Sequence, residues 1–94
     1  MIKVSVLYPS GDGVTFDHDY YRDTHFADIV ERCIDPVRWS VERGVDGPYV
    51  AVGNLWFDSL EQMQERMGAG EEAANDVVNF TNATPIMQVT QVDD

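Results

Sequence analysis

The chain has 94 residues, enough for one small domain spanning 1–94, and 44% of them are hydrophobic, including two Trp, four Tyr and four Phe. Its 17 acidic residues against 6 basic ones give a formal charge of −11, a field that repels nucleic acid and anionic membranes. A single cysteine excludes an internal disulfide and a zinc site built on paired cysteines, and no apolar run approaches the ~20 residues of a membrane helix. The opening MIKVSVLYP reads as a strand and lacks the basic-then-apolar order of a secretory leader, so the expected location is the cytoplasm. A domain of this size buries only ~60–65% of its unfolded surface. So much aromatic area therefore points to burial against a second subunit.

Residues 2–8, IKVSVLY, alternate and predict a strand, with Ile2, Val4, Val6 and Tyr8 on one face and Lys3, Ser5 and Leu7 on the other. PSGDG breaks the chain. A helix follows, with Asp17 as N-cap and Phe16 and Tyr21 as a hydrophobic staple. At ~100° per residue, Tyr21, His25, Ile29 and Cys33 form one ridge, flanked by Phe26 and Val30. Tyr20, Asp23, Ala27 and Glu31 fall on the opposite side, and Arg22 lands within the apolar sector. Asp28 and Arg32 form an i,i+4 pair, and Asp35–Pro36 ends the helix.

VRWSVERG alternates, setting Val37, Trp39 and Val41 against Arg38, Ser40 and Glu42. YVAVGNLWF (49–57) is apolar on both faces, which predicts cover on both sides of the sheet. DSLEQMQERM reads as a helix capped by Asp58, with Leu60, Met63 and Met67 at helical spacing. GAGEEAANDVV is a short helix or an irregular link, and NFTNATPIMQVTQV is a last extended segment whose Pro85 makes its first half an edge or a bulge. The order β-α-β-β-α-β predicts an α+β, ferredoxin-like antiparallel sheet with helices on one face. The other face, exposing Trp, Phe or Met, would be a large apolar patch of the kind that marks an interface. The expectation is a homodimer whose sheets pack face to face.

His25 is the first candidate for chemistry. A histidine on the sheet-facing side of a helix can reach a cavity, and its ordinary pKa near 6.5 suits proton transfer. The bland alternative is a neutral core histidine satisfied by Tyr21 or a backbone carbonyl. Tyr21, one turn earlier, can orient His25 or bond a substrate oxygen. Arg22 can bind a carboxylate or simply snorkel. Trp39, Trp56, Phe57, Phe80 and Met87 can line an aromatic cavity or a packed dimer core. Asn54, within an apolar strand, and Asn82 and Gln88, on the last segment, need partners. His18 and Tyr20 read as outward-facing, Arg38 and Glu42 as a surface or interface pair, and Cys33 as core. His18 and His25 are not on one helical turn, so a local metal pair is unsupported. There is no Walker loop and no dinucleotide fingerprint.

KVSVLYPSGDGVTFDHDYYRDTHFADIV and NFTNATPIMQVTQV together resemble the EthD family, named for ethyl tert-butyl ether degradation. The first resembles that family's opening strand, glycine turn and Y-Y-x-x-x-H helix; the second resembles its closing F-T-N-x-x-P-x-x-Q pattern. The resemblance runs the length of the chain and is loosest in the middle. Ala27 departs from it, standing where family members often have proline. The resemblance implies a dimeric α+β barrel and a reaction class only broadly: an oxidoreductase, or a cofactor-free acid/base enzyme working on an apolar, aromatic or polyketide-like molecule. On the reading of the residues themselves, His25 and Tyr21 are the catalytic candidates, and Arg22, Trp39, Asn54, Trp56, Phe80, Asn82 and Gln88 are the candidates for substrate contact. A non-catalytic binding protein for a hydrophobic metabolite is the second reading. A haem-handling monooxygenase, with His25 as axial ligand and Trp and Asn nearby, is the third.

Overall fold

The structure, a computed structural model, describes residues 1–93. Four strands, β1 (Ile2–Pro9), β2 (Arg38–Arg43), β3 (Tyr49–Phe57) and β4 (Ile86–Gln91), form one antiparallel sheet in the order β2-β3-β1-β4. The first helix occupies residues 18–33, between β1 and β2. Helices Leu60–Gly68 and Glu71–Asp76, the latter running into a 3₁₀ turn Val77–Asn79, lie between β3 and β4. This is the ferredoxin-like α+β fold, its second helical element broken in two.

The period-2 alternation of the strands decides which face is covered. Val4 pairs with Leu55 and Tyr8 with Ala51, and all four are buried with Phe57 beneath the helices. The other face carries Lys3 opposite Trp56, Ser5 opposite Asn54 and Leu7 opposite Val52. It is not the apolar plane expected. Ser5 Oγ donates to Asn54 Oδ1 at 2.9 Å, and Asn54 Nδ2 donates to Ser40 Oγ and Glu42 Oε1 at 3.2 and 2.8 Å. Arg38 lies 4.3 Å from the centre of the Trp56 ring. Phe57 and Met87, which alternate onto the helix side, are not part of this face.

The first helix departs from α geometry. Between Tyr21 and Val30 it is π-helical, closing i→i+5 hydrogen bonds, a rare form in runs of this length. Its burial follows the wider turn: Tyr21, His25, Phe26, Ile29 and Val30 are buried, at steps of four and five residues. Arg22, expected in the apolar sector, is consequently swung into solvent, where it pairs with Asp23 at 2.7 Å and Asp19 at 3.4 Å. Asp17 caps the helix by accepting from the Tyr20 N–H at 3.0 Å, and Phe16 meets Tyr21 edge-on at 5.0 Å. The helix stops at Asp35, whose φ of 52° is left-handed, directly before Pro36. Helix Leu60–Gly68 is capped by Ser59, one residue later than expected: Ser59 Oγ accepts from the Gln62 N–H, while Gln62 Oε1 reaches back past the cap to accept from the Asp58 N–H.

The last segment is a loop up to Pro85, and β4 begins at Ile86. That loop fastens the start of the first helix. The Asp17 N–H donates to the Phe80 carbonyl at 2.8 Å, and Thr81 Oγ1 donates to the Thr15 carbonyl at 2.7 Å. Asn82 accepts from the Thr15 N–H and donates to the carbonyl of Gly13, whose φ of 79° a side chain would resist. The two ends of the chain that carry the sequence motifs are thus hydrogen-bonded to each other.

Candidate functional site

Between the helices and the sheet lies a cavity of about 530 Å³. Val6, Tyr8 and Leu55 form its floor, Tyr21 and His25 stand on the wall of the first helix, and Ala73 on that of the third. Ala74, Thr84 and Met87 are exposed residues of the lining and mark its mouth beside the edge strand. The volume is that of ordinary small-molecule sites, and the lining is mostly apolar with a few polar groups.

His25 is 5% exposed and is not satisfied by Tyr21 or a backbone carbonyl. Its Nδ1 lies 2.9 Å from Asp76 Oδ2, at a separation of 51 residues in sequence. Asp76 is itself fixed: Oδ1 accepts from Tyr20 Oη at 2.7 Å and from Asn79 Nδ2 at 2.9 Å. Desolvation opposes ionisation of Asp76, but the donors Asn79, His25 and Tyr20 outweigh it and hold the carboxyl below its usual range. Burial lowers the pKa of His25 against the smaller opposing pull of Asp76. At neutral pH the pair is therefore an ionised carboxylate and a neutral imidazole. The carboxylate requires the proton on Nδ1, which leaves the Nε2 lone pair for a ligand. No residue among those described hydrogen-bonds Nε2.

Tyr21 stacks on His25, ring centroids 5.5 Å apart and planes 16° from parallel. Its hydroxyl is sealed in and has no hydrogen-bond partner among the described residues. It sits above Gly53, where an added Cβ would come within 2.2 Å of it. Burial pushes the Tyr8 hydroxyl up to about 12 and the Tyr21 hydroxyl further still, so both remain protonated donors. Phe80 packs 4.7 Å from the His25 ring and 4.8 Å from Tyr21.

The other sequence candidates are dispersed. Trp39 is on the helix side, its ring tilted 36° against Phe26 at 5.2 Å and its Nε1–H donating to Glu31. Asn54, Trp56 and Gln88 point from the opposite face of the sheet, because each alternates with a helix-facing neighbour. Within this chain they cannot border the His25 cavity, which also removes the Trp and Asn support for a haem at His25. Asn82 is the loop fastener described above. Arg38 and Glu42 are not paired to each other: one covers Trp56, the other accepts from Asn54. Tyr20 is not outward-facing but half-buried on Asp76, and His18 is half-buried with its ring 4.7 Å from Phe16. Cys33, taken as core, is half-buried at the helix end, its thiol 3.4 Å from Glu72. Among the described residues no His, Cys, Asp and Glu cluster could hold a metal ion.

The residue the sequence reading missed is Asp76. It stands among acids that look like a solvated face. The available signal is its place three residues after Ala73 and one before Val77, both of which line the cavity. A second hollow of about 700 Å³ lies outside, against Asp17, His18, Asp19 and Arg43. Its charges are already spent: Asp17 caps the helix and Asp19 pairs with Arg43 at 2.9 Å.

No family model matches the chain, and no curated protein does. Among solved structures it is similar to an EthD-like protein from Ralstonia eutropha JMP134, with 33% identity over 96% of this chain and 89% of the other, and a TM-score of 0.86. An ethyl tert-butyl ether degradation (EthD) family protein from Bacillus halodurans C-125 matches at 21% identity over 99% of both chains, TM-score 0.73. A protein of Arabidopsis thaliana shares the fold at 14% identity, TM-score 0.74, over 100% of this chain and 97% of that one.

Proposed function

The chain belongs to the EthD family, and on that premise we propose that it is an acid/base enzyme for an apolar small molecule, with His25 Nε2 as the proton acceptor. The observation that carries this reading is the contact between buried Asp76 and His25 Nδ1 at the wall of the cavity. A ligand O–H or C–H placed at Nε2 gives up its proton there. The bond to hydrogen breaks, its electron pair stays on the ligand, and the N–H forms on imidazole. Asp76 stays ionised and stabilises the imidazolium. Tyr20 and Asn79 act one step back, as positioning residues, by fixing the carboxylate. Tyr21 stacks on the imidazole and restricts its rotation. The ligand anion is the common starting point for isomerisation, ring closure and reaction with dioxygen, and the proton transfer itself calls for no cofactor.

The working unit in this proposal is a homodimer closed over the open face of the sheet. That face carries Leu7, Val52, half-buried Trp56 and exposed Ile86. Among the described residues, Lys3 and Arg38 are the cationic side chains without a carboxylate partner, and both lie against Trp56 on it.

The test is deuterium exchange at the acidic C–H of 2-acetyl-1-tetralone in D₂O. Wild type is expected to accelerate exchange, and His25→Ala to lose about 10²–10⁴-fold of that acceleration with the fold retained by circular dichroism. Equal exchange rates in the two proteins would sink the catalytic role. A binding protein would instead retain ligand affinity after His25→Ala and show no acceleration over the uncatalysed exchange in either form.

A further inference from the structure

We propose that the cavity selects its ligand by charge, admitting uncharged molecules with a weakly acidic O–H or enolisable C–H and rejecting carboxylates, phosphates and ammonium compounds. This rests on the site proposed above and names the ligand class it takes.

Among the described residues, the lining contains no lysine or arginine. The cations nearest in sequence are occupied elsewhere. Arg22 is exposed on Asp19 and Asp23, and Arg32 forks onto Glu72 at 2.7 and 2.9 Å. Lys3 and Arg38 stand across the sheet. An anionic ligand would enter an apolar enclosure without a counter-ion and with the Asp76 carboxylate just behind His25, in a molecule of charge −11. An unpaired charge taken out of water into such a site is strongly disfavoured. A cation fares no better. Asp76 is the carboxylate within reach of the wall, and both its oxygens already accept hydrogen bonds, from Tyr20 and Asn79 on one and His25 on the other. Seating an ammonium group there would break that arrangement.

The polar groups that remain specify the neutral ligand. His25 Nε2 accepts, so it favours a group with a proton to share. Tyr8, on the floor, has a hydroxyl that burial keeps in its neutral, protonated form, so the polar groups that face a ligand carry no fixed positive charge to meet a fixed negative one. The ligand acquires a charge only when its proton moves to Nε2, and it then has the imidazolium beside it.

The experiment uses 2-naphthol, 2-naphthoate and 2-naphthylmethylammonium as probes at pH 7.5, read by calorimetry and by the His25 imidazole resonances. The expected result is binding of 2-naphthol at least about tenfold tighter than either ion, with a His25 shift caused by naphthol alone. Ala74→Lys, at an exposed position of the lining, should raise naphthoate affinity and narrow that ratio; Thr84→Lys serves if that variant does not fold. Naphthoate binding as tightly as naphthol with the same His25 shift would overturn the proposal, as would failure of naphthol to bind at millimolar concentration. Naphthol preference without catalysed deuterium exchange would keep charge selection and remove the proton-transfer role. Catalysed exchange with equal naphthoate binding would do the reverse.

Discussion

The two faces of the sheet are drawn from the same strands and obey opposite rules. On the helix side, Val4, Tyr8, Ala51, Leu55 and Phe57 are all but fully buried, and His25 stands on the wall of the cavity with Asp76 behind it. On the open side, the centre is a hydrogen-bonded row from Ser5 through Asn54 to Ser40 and Glu42, with Trp56 under Arg38 at one end. Packing fixes the first face, whereas on the second polar pairing only satisfies the groups that lie there. The difference teaches that a buried polar residue is not by itself a site. Asn54 and His25 are 6% and 5% exposed, but Asn54 has its donors and acceptor engaged, whereas one nitrogen of His25, beside the void, has no partner among the described residues.

The largest break in the comparison should come from Gly53→Val. A Cβ at this position meets Tyr21 Oη at 2.2 Å and Phe26 ring carbons at 2.8 and 3.0 Å. Both side chains are held in the core and neither can retreat without moving the first helix. The expected loss is about 1–3 kcal/mol or more by denaturant unfolding, together with displacement of His25. Unchanged stability would mean that the helix side tolerates volume change as a loose interface does.

Next comes Asp76→Ala, which leaves Tyr20 Oη, Asn79 Nδ2 and His25 Nδ1 without their acceptor. Loss of a buried partner costs about 1–3 kcal/mol. Asp76→Asn keeps the shape and separates stability from chemistry. An amide no longer demands the proton on Nδ1, so exchange activity should fall even where folding is retained. Retained exchange in Asp76→Asn would show that the carboxylate does not set the tautomer.

These two positions also mark how much was legible in the sequence. Strand alternation and the staple–cap–histidine spacing are local features, and they place the strands, the helix face and His25 with Tyr21. The faces of Asn54, Trp56 and Gln88 follow from the same alternation, yet a pattern rich in apolar residues on both sides made them look like cavity lining. Asp76 reaches His25 only by tertiary packing across 51 residues, and no local period announces it. The π-helical turn is equally invisible. Stepping at the α period keeps Arg22 near the core, while the wider turn puts it in solvent and brings His25 and Phe26 inward together.

A pH titration sharpens the comparison from the helix side. The folded pKa of His25 is lowered from 6.5, chiefly by burial. Between that lowered value and 6.5 the unfolded chain binds the proton and the folded one does not. The stability contributed by the neutral imidazole is therefore present above pH 6.5 and is lost as pH falls through the folded value. Asp76, also lowered, from 3.8, adds a second loss at more acid pH. The acid limb of deuterium exchange should likewise have its midpoint below 6.5. The His25 ring carbon and nitrogen shifts report that midpoint directly. A midpoint at or above 6.5 would show that Asp76 outweighs burial and that the resting pair is an ion pair.

The smallest effect belongs to the open face. In Ser5→Ala/Asn54→Leu both members of the 2.9 Å hydrogen bond become apolar, and Ser40 and Glu42 are left beside solvent that can replace Asn54. Replacing both partners of a polar pair is close to neutral, so unfolding of the subunit should change by less than about 1 kcal/mol. If a second copy covers this face, the same substitutions remove groups that must be desolvated on association, and sedimentation should then show tighter self-association. A loss comparable to that of Gly53→Val would mean that the row fixes the fold as firmly as the helix-side core. The rule that packing fixes one face and polar pairing only decorates the other would then fail.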